Sequence, residues 1–222
     1  TSAPERNPRA ERSDQLRAMT VRGLALNNLP RVEWIVDGLV PARSLVLMYG
    51  PPKVGKSFVA IDLAACIATG RSWLGQTTKR GPVLYVAAEG AAGITARQEA
   101  WSEYHGPSSE LDEIYWLPTA INLYPGSIRA DTEAVSVDAG AVADMASAIG
   151  ARLVVIDTLA RCTTGAEENS AKDMGLVIAS ADYIKTQSGA TVLVVHHSGK
   201  DVSKGARGST ALFGAVDSQI PV

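Results

Sequence analysis

Cysteine is nearly absent from this chain: there are two in 222 residues, Cys66 and Cys162. So sparse a set excludes a disulfide scaffold and a thiolate metal cluster. Cys66 lies in an apolar run with helical spacing and reads as a small core residue, while Cys162 falls in a loop with no evident partner. Aromatic residues make up only 5% of the chain, which leaves few platforms for stacking nucleobases. Positive charge is not in excess either. The net charge is −2, so any contact with nucleic acid must come from a local patch or an assembled oligomer. No apolar run approaches the roughly 20 residues of a bilayer span. The polar opening TSAPERNPRAERSDQLRAMT lacks an apolar signal core. These absences set the expectation of a cytoplasmic protein with no membrane partner.

What is present is an ordinary globular composition, 46% hydrophobic and 20% charged, long enough for one sizeable core and short for two full domains. Residues 1–22 are rich in charge, Pro, Ser and Asn and read as a flexible arm, with any helix limited to about Asp14–Met19. Residues 23–222 then alternate. Strands are predicted over Ser44–Tyr49, Pro82–Ala88, Ile114–Leu117, Arg152–Asp157 and Ala190–His196. Helices are predicted over Lys56–Thr69, Gly93–Tyr104, Asp138–Ile149 and Ala171–Gln187. Alternation of this kind argues for an α/β fold, a mostly parallel twisted sheet flanked by helices.

Between the first strand and the first helix stands GPPKVGKS, residues 50–57. It fits the pattern G-x-x-x-x-G-K-[ST] in the strand-then-helix context that this pattern requires. Gly50 and Gly55 let the backbone of Pro51, Pro52, Lys53 and Val54 curl so that N–H groups face phosphate oxygens. The helix beginning at Lys56, Ser57 and Phe58 aims its positive end at the same anion. Lys56 is placed to reach the β- and γ-phosphates, and the Ser57 hydroxyl to bind Mg²⁺. The alternative is a Gly/Pro turn matching by accident.

ATP with Mg²⁺ needs a second metal anchor. Asp157 closes the apolar strand RLVVID, where a carboxylate would hold the ion through water; the alternative is an Asp capping the next turn. Glu89 closes VLYVAAE, and a carboxylate there can orient and deprotonate water; the alternative is an exposed strand-end Glu. His196 and His197 end the fourth long strand. Adjacent strand residues point oppositely, so only one can face a shared crevice, and the pair cannot form a metal site by itself.

These stretches resemble the RecA-like ATPases of the hexameric replicative helicase group, and within it the RepA-type helicases and related ATPases of plasmids and phages. The resemblance spans residues 31–217. It is carried in order by EWIVDGLVPARSLVLMYGPPKVGKSFVAIDLA, GPVLYVAAEGAAGITARQEAW, RLVVIDTLARCTTGAEENSAKDM, GATVLVVHHSGKD and KGARGSTALFGAVD. It implies that Glu89 is the catalytic glutamate and Asp157 the Walker B aspartate. It further implies that His197, with His196 as alternative, is the polar sensor. Arg207 is similar to an arginine that the family uses at a neighbour's ATP or near DNA. Residues 160–173 and 198–209 correspond to loops that often face a central channel, where Lys200, Lys204 and Arg207 would supply a basic strip to single-stranded or branched DNA. A solvated loop is the alternative for the two lysines. The resemblance also implies a homo-oligomeric, hexameric ring. The family continues after GAVD with further strands and another basic motif, and the domain is expected to lack those strands.

Three functions follow. The first is a Mg²⁺-dependent ATP hydrolase translocating on DNA, as a replicative helicase or recombination ATPase does. The second is a non-translocating ATP switch or helicase loader. The third is a structure-specific nuclease on the same fold, which needs a carboxylate cluster that the sequence does not display.

Overall fold

The apolar runs become strands of one sheet in this computed structural model, which describes residues 8–20, 31–106, 111–126, 135–197 and 210–222. An antiparallel pair, β1 (Trp34–Val36) and β2 (Val40–Pro41), precedes β3 (Leu45–Gly50), β4 (Val83–Ala87), β5 (Ile114–Leu117), β6 (Leu153–Asp157), β7 (Thr191–His197) and β8 (Ser218–Pro221). The last six align in the order β5-β4-β6-β7-β3-β8, every pair parallel. Parallel strands are covered on both faces and so read as unbroken apolar runs, as LVLMYG, VLYVA and LVVID do.

Residue parity along each strand decides which face a side chain joins. Val46, Met48, Val83, Tyr85, Leu153, Val155, Leu193 and Val195 pack under α2 (Lys56–Thr69) and α3 (Ile94–His105). Leu45, Leu47, Leu84, Val86, Val154, Ile156, Val192 and Val194 pack under α4 (Val137–Ala148) and α5 (Ala171–Ser188). Leu212, from the short α6 (Thr210–Ala215), joins the second face. The fold is thus the three-layer α/β core expected from the alternation.

Several elements depart from the sequence reading. The chain divides into two compact units, Thr1–Val32 and Glu33–Val222. In the first, the helix α1 runs Pro8–Ala18 rather than Asp14–Met19. Pro8 at the first helical position has its torsion angle preset, and Glu11 and Arg17 complement the helix dipole at opposite ends. In the second unit, SQIP forms β8 at the sheet edge, tied to β3 where the Leu45 N–H donates to Asp217 Oδ2 at 2.8 Å. The β1–β2 pair and α6 are likewise additions. Cys162 is a buried core residue closing a 3₁₀ turn rather than a loop residue. Among the described residues no helix is long and apolar enough to cross a membrane.

One polar knot holds α2 to α3. Asp62 Oδ1 accepts from Trp101 Nε1 at 2.9 Å, and Oδ2 accepts from Trp73 Nε1 at 3.0 Å. Both indoles are buried. Asp62→Ala strands two buried donors, each costing about 1–3 kcal/mol. Thermal unfolding of that variant is expected on the order of 10 °C lower, with Asp62→Asn, which keeps one acceptor, intermediate. A melting temperature unchanged in Asp62→Ala would remove the knot from the stability argument.

Candidate nucleotide site

Three features shape the turn after β3. Gly50 admits no side chain, because a Cβ there would overlap the Val222 carbonyl oxygen. Gly55 has φ 97°, a left-handed conformation that glycine adopts without strain, and Lys53 is also left-handed at φ 66°. The result is a loop whose backbone reverses sharply into α2. Helices α4 and α5 are capped by Ser136 and Ser170, whose hydroxyls accept from Ala139 N and Asp173 N. Helix α2 has no side-chain cap and no acidic residue in its first turn. Its leading N–H groups and the positive end of its dipole therefore remain available to an anion.

Lys56 is 4% exposed, and its ammonium donates to the carbonyl oxygens of Gly50 (3.0 Å) and Pro51 (2.7 Å). Burial pushes its pKa below the ordinary lysine value, while the charges of Asp157 and Glu89 oppose that shift. The lysine thus braces the loop from inside. Ser57 and the 61% exposed Phe58 follow it along the rim of a cleft of about 560 Å³. Pro52, Lys53, Gly55 and Lys56 line the same cleft; Val54 is exposed.

The parity that sorts the core also sorts the polar strand ends. Glu89, Asp157 and His197 continue the series on the α2 face, and Gly50 pairs in register with His197 and Ala87 with Asp157. Glu89, Thr158 and His197 line the cleft beside the loop. His196 points the other way, into a hollow lined by Leu159, Met174, Leu212 and Phe213. The two histidines are thereby told apart. Glu89 is exposed; its Oε2 accepts from Thr158 Oγ1 at 3.4 Å, and its backbone N–H donates to the Asp157 carbonyl at 3.3 Å.

Asp157 lies beneath the cleft, 2% exposed. Its Oδ2 accepts from the Tyr85 hydroxyl at 2.8 Å, whereas Oδ1 is buried without a hydrogen-bond partner. Burial pushes the carboxyl pKa up; the hydroxyls of Tyr85 and Ser57 and the Arg97 guanidinium draw it back, and Glu89 adds to the rise. An orphaned buried carboxylate oxygen is costly unless something arrives to use it. Together with the Ser57 hydroxyl, this donor set fits Mg²⁺, which keeps several waters and takes one or two protein oxygens plus phosphates. Among the described residues no three His, Cys, Asp or Glu side chains group to hold a metal alone.

Two residues at this site go beyond the sequence reading. Arg97 lines the cleft with its guanidinium 5.2 Å from the Phe58 ring centroid, packed so closely over Gly90 that a Cβ there would lie 3.3 Å from Nη2. A signal was available: Arg97 stands near the start of α3, where a cation opposes the helix dipole. Tyr85 is the second, and its hydroxyl in an otherwise apolar strand required a partner. Lys200, Lys204 and Arg207 lie outside the described residues. A sequence model for a family described as an AAA domain matches residues 9–203 of the chain.

Proposed function

The chain belongs to this AAA domain family of P-loop ATPases, and on that footing we propose that it is a Mg²⁺-dependent ATP hydrolase acting on DNA. The observation that carries the reading is the convergence of Glu89 and His197 on the cleft beside an uncapped α2, with Asp157 buried below it. In this reading the backbone of residues 50–58 and Lys56 hold the polyphosphate. Ser57 and Asp157 hold the metal, which when bound neutralises phosphate charge and orients the terminal group. Glu89 draws the proton from the attacking water. His197, on the strand between the loop and Asp157, touches the terminal phosphate and relays its presence to residues 198–209. Arg97 adds a further cation from the same chain.

The finer assignment, a hexameric helicase of RepA type moving along single-stranded or branched DNA, rests on the five sequence stretches and their order. Arg207, acting at a neighbour's nucleotide or on DNA, and Lys200 and Lys204, facing the phosphate backbone, belong to this assignment. It predicts that ATP turnover rises several-fold with single-stranded or forked DNA and that the stimulation fades as salt increases. It also predicts that native mass spectrometry finds a ring. Turnover indifferent to DNA in a single-chain species would instead establish the switch or loader, and DNA nicked by the Lys56→Ala variant would establish the nuclease.

A further inference from the structure

Asp157 has two carboxylate oxygens in different circumstances, and Tyr85 makes the difference. Directly opposite Asp157 across the β4–β6 pair stands Ala87, the smallest side chain that keeps the strand pattern. Two residues earlier on the same face, Tyr85 opposes Val155. Positions two residues apart on one face are offset by about 6.6 Å along the strand, within the length of a tyrosine side chain. With only a methyl group at position 87, the phenol extends along the strand to place its oxygen 2.8 Å from Asp157 Oδ2. The ring cannot swing away. Tyr85 is 1% exposed and packs on Trp116 at 4.7 Å between centroids. A buried hydroxyl donating to a buried carboxylate, with no room for either to turn, fixes the carboxylate's rotation.

We propose that Tyr85 is a positioning residue for the metal: it occupies Oδ2, and so leaves Oδ1 as the acceptor for the hydrated cation beside Ser57. The proposal rests on the reading of Asp157 as a metal partner. Without the phenol hydroxyl, the buried carboxylate loses the donor that holds Oδ2 and is oriented less firmly. Outer-shell partners of this kind typically contribute 10–100-fold to metal affinity.

The test is Tyr85→Phe, which keeps the ring and its packing on Trp116. Mn²⁺ would be titrated into the full-length protein saturated with a non-hydrolysable ATP analogue, and bound ion read from loss of the free-ion EPR signal. Affinity for Mn²⁺ is expected to fall about tenfold or more, while affinity for the analogue in EDTA stays within about twofold, showing that the fold and the phosphate loop are intact. Asp157→Ala should weaken Mn²⁺ at least as much, and adding Tyr85→Phe to it should change nothing further, since the two act as one unit. Equal Mn²⁺ affinity in Tyr85→Phe and wild type, with Asp157→Ala impaired, overturns the role of Tyr85 alone. An Asp157→Ala protein that binds Mn²⁺ normally overturns the metal reading itself. Additive losses in the double variant also overturn the proposal, since they would mean that Tyr85 acts through something other than Asp157.

Discussion

Lys56→Ala is expected to bring ATP turnover down to background and to remove measurable nucleotide binding. Two losses combine. The first is the ligand contact: the ammonium stands at the start of α2, placed to leave its present partners for phosphate oxygens. The second is the loop itself. With the protein as described, the same ammonium closes hydrogen bonds to Gly50 and Pro51 carbonyls, which hold the turn in the curled form that the left-handed Lys53 and Gly55 allow. Hydrogen bonds from a charged donor are worth about 1.5–3 kcal/mol each, so alanine loosens the loop before any ligand arrives. Lys56→Arg is the instructive companion. It keeps the charge, but its planar fork does not fit where a compact ammonium is 4% exposed, and its turnover is expected to fall nearly as far. Phosphate release and binding of a fluorescent ATP analogue, measured on wild type and both variants, check this. Turnover retained in Lys56→Ala would detach the lysine from the chemistry and with it the reading of GPPKVGKS.

How far the sequence foretold this depends on the range of the interaction involved. Helix α2 was legible to the residue, because its start is fixed by the local glycine loop and its end by Gly70 in the left-handed conformation. The central strands were legible because burial on both faces writes them as continuous apolar runs. That same property hid the direction of the histidines. In β7 the residues on both faces are apolar, Val192 and Val194 on one side and Leu193 and Val195 on the other. Nothing in the run itself says which face meets α2, and only the packed helices separate His197 from His196. Strand β8 was hidden for a related reason. Its four residues alternate weakly and end in Pro221, and they become a strand by pairing with β3, more than 160 residues away. Arg97 and Tyr85 left local traces, a cation near a helix start and a hydroxyl in an apolar strand, but their partners Phe58 and Asp157 are brought to them by the sheet order.

Glu89→Gln separates binding from chemistry, which Lys56→Ala cannot do. The substitution keeps side-chain size and removes only the carboxylate. Glu89 is exposed at the cleft and contributes nothing to the core, so the fold is expected to be unchanged. Its backbone remains anchored to the Asp157 carbonyl, and the amide oxygen still accepts from Thr158. One negative charge leaves the neighbourhood of the phosphates, so ATP should bind as well as in wild type or more tightly. Turnover is expected to drop by about 10²–10⁴-fold, the usual contribution of a positioned general base. Thr158→Ala, which removes the 3.4 Å contact to Oε2 together with a buried methyl group, should cost turnover far less, since a contact that long orients the carboxylate weakly. Single-turnover phosphate release against analogue binding resolves these outcomes. If Glu89→Gln turns over at the wild-type rate, the proton must be taken elsewhere. His197, on the cleft wall, is then the next candidate for the base, and His197→Ala becomes the variant that decides between a sensor and a base.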